Sequence, residues 1–230
     1  MTTVFWSPDY IVAAEDFDTT RKSGWIIESL ERDPIGGIEI VAPPALREDD
    51  LAEIHDRAYI DAVRTGSPLG LAQSQGFRWD PGLWTMALAH TSGMVAAALL
   101  ALGSRQNTGS LSSGQHHAAF DSGAGFCTFN GIALAARRAL QAGAKNVLII
   151  DVDAHCAGGT HSLIAGNGRI QQVDIAVDPF DEYRPSVPNS LDLFTSASAY
   201  LPILKSRLDG IDNAGQRFDL CIYYAGDGPL

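Results

Sequence analysis

The stretch 146-NVLIIDVDAHCAGGT-160 decides how this 230-residue chain folds. It begins as a short apolar run that belongs inside a protein, then sets Asp151, Asp153 and His155 at alternate positions. Side chains alternate faces along a strand, so the three polar groups share one side if the extended backbone persists to residue 155. In an open α/β sheet, ligands bind beyond the carboxyl ends of the strands, where this triplet falls. Carboxylate oxygen and imidazole nitrogen together suit a divalent ion such as zinc, with iron or manganese as other occupants. A competing reading has the aspartates capping the next helix and the histidine incidental; on this segment alone the two are evenly matched.

Working outward, strand-length apolar segments recur at IEIVAP (38–43), QVDIAV (172–177) and DLCIYYAG (219–226). Segments of helical period stand between them: TRKSGWIIESLERD, LAEIHDRAYIDAV, a long one from Pro81 to Leu102, and NGIALAARRALQAG, closed by Gly143. That alternation predicts an α/β fold with a parallel sheet and crossover helices. No composition shift or linker divides the chain, so residues 1–230 are expected to form a single domain. Residues 103–127 are rich in Gly and Ser and read as a long loop, of the kind that often carries function.

Hydrophobic residues make up 46% of the chain, enough for one sizeable core. Lys and Arg total 16 against 27 Asp and Glu, a formal charge of -11. This balance works against direct nucleic-acid binding and suits a cationic or neutral partner. Cys127, Cys156 and Cys221 are odd in number and lack paired spacing, which points to a reducing compartment. The start, MTTVFWSPDY, has no basic stretch before an apolar one, and the apolar runs fall short of a membrane span. A cytoplasmic protein without a membrane partner is expected.

The segment DLCIYYAGDGPL also runs apolar and then ends in a carboxylate, Asp227. Asp153, His155 and Asp227 can hold one metal from two strand ends and leave a coordination position open; the plain alternative for Asp227 is an ordinary turn residue. His116 and His117 are adjacent in the glycine-rich loop. Imidazoles are suited to taking a proton from water and returning it to a leaving group, although a surface loop can carry such a pair for no reason. Asp151 can orient one of them by accepting its ring N–H. Phe126 can wall an apolar channel, although a lone aromatic is more often core.

Taken in order, FDTTRKS, EIHDRAYIDAV, GQHHAAFDSGAGFCTFNG, VLIIDVDAHCAGGT and AGDGPL resemble the histone deacetylase and acetylpolyamine amidohydrolase family. The resemblance spans nearly the whole chain. It implies a three-layer arginase-like α/β fold with a central, mostly parallel sheet and helices on both faces. It also implies one metal, usually zinc, and hydrolysis of an acylated lysine peptide or acetylpolyamine. By position, Asp153, His155 and Asp227 match the metal ligands, His116 and His117 the acid/base pair, and Asp151 the carboxylate beside His116. Phe126 and the backbone of Gly125 match a wall of the acyl channel. A structural potassium ion is implied around Asp151, Asp153, His155 and Asp174. Either Arg21 or Lys22 matches a basic residue behind the site. Ala157 stands where a binuclear manganese enzyme of the arginase type has another carboxylate, which favours one metal.

Two departures stand out. The family usually follows the ligand histidine with His-Gly-Asn or His-Gly-Asp; here Cys156-Ala157-Gly158 replaces the polar partner of His117 with glycine. Leu230 follows almost directly on Asp227, so the Gly-rich loop with an oxyanion-binding tyrosine, usual in the family, is expected to be missing. The rival reading is therefore a catalytically impaired, deacetylase-like protein that binds metal or acyl ligands without turnover. His55, His90 and His161 are read as structural, the tryptophans as packing or rim residues, and VDPFDEYRPSVP as a connector able to offer Phe180 or Tyr183 as a pocket wall.

Overall fold

The computed structural model describes residues 1–14, 17–194 and 196–226. Strand β4 (Val147–Asp151) is buried along its whole length, as its unbroken apolar run requires. It pairs in parallel with β5 (Ile170–Ala176) on one side and β7 (Leu220–Tyr224) on the other, and β6 (Ser190–Leu193) extends β5. The register sets Asp151 opposite both Asp174 of β5 and Tyr224 of β7. One row at the carboxyl edge therefore gathers two carboxylates and a phenol.

The remaining strands form a second parallel group in the order β2 (Ile38–Val41), β1 (Thr2–Phe5), β3 (Gly109–Ser110). The 38–43 segment thus pairs with β1 and not with the ladder around β4. Among the described residues, β3 and β7 each have one hydrogen-bonded neighbour, and both border a cleft of about 1050 Å³ that separates the two groups.

Helices α1 (Asp18–Arg32), α2 (Glu48–Leu51), α3 (Arg57–Thr65), α4 (Leu69–Ala72), α5 (Pro81–Ser104), α6 (Gly131–Gln141), α7 (Gly158–Ile164) and α8 (Ala197–Asn213) complete the fold. Local chemistry starts two of the longer ones: Asp80 accepts the amide N–H of Gly82 at 2.7 Å ahead of Pro81, and Asn130 accepts that of Ala133 at 3.0 Å. The helical period from Leu51 to Val63 is interrupted. Asp56 accepts the Ala58 N–H at 2.7 Å and starts α3 afresh, while His55, in the gap, turns inward.

The core lies on both faces of the β4 ladder. Val147, Ile149, Leu220 and Ile222 pack with Ile60, Leu134 and Ala136 of α3 and α6. Leu148, Ile150, Val173 and Ile175 lie under Ile203, Leu204 and Ile211 of α8. Each fully buried aliphatic side chain contributes about 1.5–3 kcal/mol, so the site at the ladder's edge rests on strands packed from both faces. By length and composition α5 could cross a membrane, but 56% of its most apolar window is buried inside the protein. Its His90, Thr91 and Ser92 bond to the carbonyls of Tyr10, Ala87 and Pro44, as expected of a core helix.

Candidate active site

Strand β4 stops at Asp151, short of the residue 155 that simple alternation requires. Asp151 Oδ1 accepts the amide N–H of Asp153 at 3.1 Å, and Asp153 Oδ1 accepts that of His155 at 2.9 Å. Such bonds from side chain to backbone compete with the ladder and turn the chain. The turn still presents Asp153 and His155 to a cavity of about 230 Å³, which His116 and His117 also line.

His116 is buried, and its Nδ1 donates to Asp151 Oδ2 at 3.1 Å while its Nε2 lies 3.6 Å from Asp153 Oδ1. Burial alone would depress this imidazole; the charge and hydrogen bond of Asp151, helped by Asp153 and Asp174, outweigh it and raise the pKa to about 9. The His117 ring lies 3.9 Å from that of His116 and 5.7 Å from that of His155. Burial lowers the pKa of His117, against the pull of Asp181 and with the push of charged His116. Adjacent histidines are thereby split into one held charged and one held neutral, the pattern of an acid/base assignment.

Nothing in the sequence marks the carboxylate on His117. Its Nδ1 donates to Asp181 Oδ2 at 3.0 Å, 64 residues away in the loop after β5. A carboxylate in a Pro-containing connector is too common to single out. The neighbouring Phe180 sets its ring edge-on to His117, at 4.8 Å and 86°. Phe126, at φ 62°, packs against Phe17 and Phe77 at 4.9 and 5.1 Å. Gly125, at φ 50°, leaves no room for a side chain, since a Cβ there would lie 2.3 Å from His117 Cδ2.

Asp174 is buried beside Asp151; its Oδ2 accepts the Ala157 N–H at 2.7 Å, and among the described residues its Oδ1 meets no hydrogen-bond partner of good geometry. Burial and the Asp151 charge raise its pKa. Asp227 lies outside the described residues. Gly226, just before it, is close enough that a Cβ would lie 2.2 Å from Asp153 Oδ2, so the end of β7 reaches the site. Tyr224 brings its ring to 5.1 Å from His116, whereas Tyr223 is exposed. Arg21 donates to the carbonyls of Ile11 and Ala13, while Lys22 lines the cavity.

Of the other histidines, His55 and His90 bridge backbone groups. His55 donates from Nδ1 to Ala119 O and accepts the Asn130 N–H at Nε2; His90 donates from Nε2 to Tyr10 O and accepts the Ser113 N–H at Nδ1. His161 accepts the Ser186 N–H.

Two donor sets are relevant to a metal. His116, His117 and Cys127 offer ligand atoms within 4.8 Å of one another, close enough to hold an ion. Burial keeps the Cys127 thiol protonated, however, and only the thiolate is a good ligand. Asp153 Oδ1 and His155 Nδ1, 2.9 Å apart at the same cavity, are the harder carboxylate and imidazole pair that a zinc-type ion takes.

Mostly parallel strands flanked by helices give the chain the arginase and deacetylase type of α/β architecture. The profile of the histone deacetylase domain matches residues 17–184, and the chain belongs to that family. An acetylpolyamine amidohydrolase of Mycoplana ramosa is 24% identical over 201 residues, covering 73% of this chain and 58% of that protein. An uncharacterized protein of Picosynechococcus sp. is 28% identical over 233 residues, covering 97% and 76%. The acetoin utilization protein AcuC of Staphylococcus aureus is 30% identical over 132 residues, covering 53% and 34%. The chain thus spans little more than half of the first of these relatives and about a third of the last. Among solved structures, the HDA15 HD domain superposes with a TM-score of 0.82 at 20% identity, covering 97% of this chain and 73% of that one. An acetylpolyamine aminohydrolase from Burkholderia pseudomallei gives 0.77 at 16%, covering 97% and 81%. At these identities both structures speak for the fold.

Proposed function

We propose that this chain is a metal-dependent amidohydrolase that removes acetyl or other acyl groups from acylated lysine or polyamine amines. The observation that carries this reading is the meeting of two buried histidines, each held by its own carboxylate, with Asp153 and His155 at one cavity of about 230 Å³. Asp153 and His155, with Asp227, are the residues that would hold zinc, or iron or manganese in its place. Such an ion, when bound, supplies Lewis-acid polarisation of the acyl carbonyl and acidifies water.

The remaining work falls to the chain's own groups. His117, neutral and donating from Nδ1 to Asp181, keeps Nε2 for the proton that water loses as its oxygen adds to the carbonyl carbon. The same proton passes to the amine nitrogen as the C–N bond breaks, and the second proton of the water follows from the new carboxyl group, leaving a carboxylate and an ammonium. His116, held charged by Asp151, sets a positive group beside the developing negative charge. Phe126, the Gly125 backbone and Phe180 suit the alkyl stem of the amine, and a net charge of -11 draws cationic substrates. A monovalent cation such as potassium would be held by Asp174 with Asp151, Asp153 and His155; the reading is supported by the buried Asp174 Oδ1, which meets no hydrogen-bond partner among the described residues.

Amine release from a fluorogenic acetyl-lysine peptide and from an N-acetylated diamine, with zinc supplied, tests the reading. Turnover is expected on at least one substrate. It should fall more than about 100-fold in His117→Ala with metal content kept, and disappear together with the metal in Asp153→Ala. A folded chain that binds one metal and turns over neither substrate would instead be the non-catalytic binding protein.

A further inference from the structure

We infer, resting on the amidohydrolase reading above, that Asp181 is the positioning residue of His117 and that the bare Gly158 is what admits it. Asp181 Oδ2 accepts two N–H groups, from His117 Nδ1 at 3.0 Å and from the Gly159 backbone at 2.9 Å. One donor belongs to the imidazole and the other to the first turn of α7, so the carboxylate fastens the ring to a helix. A neighbouring bond reinforces the link, since the Thr160 N–H donates to His116 O at 2.8 Å. Helix α7 therefore grips the His116-His117 dipeptide through its backbone and, through Asp181, by the ring of His117.

The room for this comes from residue 158. A Cβ on Gly158 would lie 2.4 Å from the Asp181 carbonyl oxygen and 2.5 Å from its Oδ1. The φ of Gly158 lies outside the left-handed region, so its backbone would accept any residue and the demand for glycine there is one of space. Asp181 itself sits at φ 61°, a conformation that aspartate tolerates better than most residues. The turn is held from below, where the Cys156 N–H donates to Phe180 O at 3.1 Å and the Asp178 N–H to Ala154 O at 2.8 Å. One short turn thus delivers both Phe180, edge-on to the ring, and Asp181, in line with its Nδ1.

A carboxylate accepting from Nδ1 selects the tautomer in which Nε2 carries no proton, and it fixes the plane of the ring. The test combines nitrogen NMR of ¹⁵N-histidine-labelled protein with steady-state kinetics on the acetyl-lysine peptide. In the unaltered chain His117 should be the Nδ1-protonated tautomer. Asp181→Asn keeps the size of the side chain but lets its amide donate to Nδ1. It should lose that tautomer and lower kcat about 10–100-fold, with KM within about twofold. Gly158→Ala, which displaces Asp181, should give the same loss, and adding it to Asp181→Asn should cost little more. If Asp181→Asn does not fold, Gly158→Ala carries the same two readouts. An unchanged tautomer with unchanged kcat, or fully additive losses, overturns the assignment. If the unaltered chain shows no turnover, the amidohydrolase reading falls while the tautomer still decides whether Asp181 positions His117.

Discussion

Gly125→Ala should disable the site through a single methyl group. The Cβ would lie 2.3 Å from His117 Cδ2 and 2.7 Å from Phe180 Cε1, where ordinary contact begins near 3.4 Å, so the His117 ring must retreat by about 1.1 Å. Asp181 ties that ring at Nδ1 and Phe180 packs edge-on to it, so a retreat disturbs both contacts. A displacement of about 1 Å in a catalytic group typically costs ~10²-fold in rate, equivalent to about 2.7 kcal/mol of barrier. The left-handed φ of 50° adds a separate folding cost of about 1–2 kcal/mol, or a fall of roughly 2–8 °C in Tm. Gly215 separates the two effects, because at φ 66° it meets nothing within 4 Å. Gly215→Ala should lower Tm by a similar amount and leave kcat intact. The assay is kcat on the acetyl-lysine peptide beside thermal melts followed by circular dichroism. A folded Gly125→Ala chain with kcat within threefold of the unaltered protein would refute the claim that His117 is pinned where the chemistry needs it.

The share of stability that His55 and His90 supply should fall in mild acid, against the opposite pull of His116 and Asp174, whose raised pKa values favour proton uptake by the folded chain. His55 and His90 have pKa values of about 4 in the folded chain against 6.5 free, because burial disfavours the charged ring and both nitrogens of each are already engaged. Since the folded values are depressed, the stabilisation is complete above pH 6.5 and is lost as pH falls from there toward 4, by roughly 2 kcal/mol per ring at pH 5. Urea denaturation of the parent and of His55→Gln at pH 7 and pH 5 isolates the share of one ring: the variant should lose about 2 kcal/mol less between the two pH values, and an equal change in both proteins would contradict the account. Asn130→Ala should destabilise by about 2–4 kcal/mol. It removes the cap on α6 and the amide donor to Ala118 O and Thr160 Oγ1 from a fully buried position. A Tm unchanged from that of the parent would count against it.

How far the sequence can be read depends on the range of the interaction that fixes each feature. The run from Val147 to Ile150 reads as a buried strand because burial on both faces is written into consecutive residues. The end of that strand is harder, since two aspartate side chains capture backbone amides that alternation assumes stay in the ladder. The break at His55 escapes for a similar reason: apolar spacing continues across it, while the bonds that turn the ring inward come from residues 119 and 130. Strands β1 and β6, four residues each, are too short to show a period, and α8 carries Pro202 in its interior. In the site, His116 and Asp151 are joined by neighbouring elements and announce themselves through motif spacing. Asp181 is joined to His117 only because a glycine 23 residues earlier has no side chain. A local reading registers Gly158 as the loss of a polar partner. In three dimensions the same substitution is the condition for a different partner, so a departure from a motif has to be judged by what occupies the vacated space.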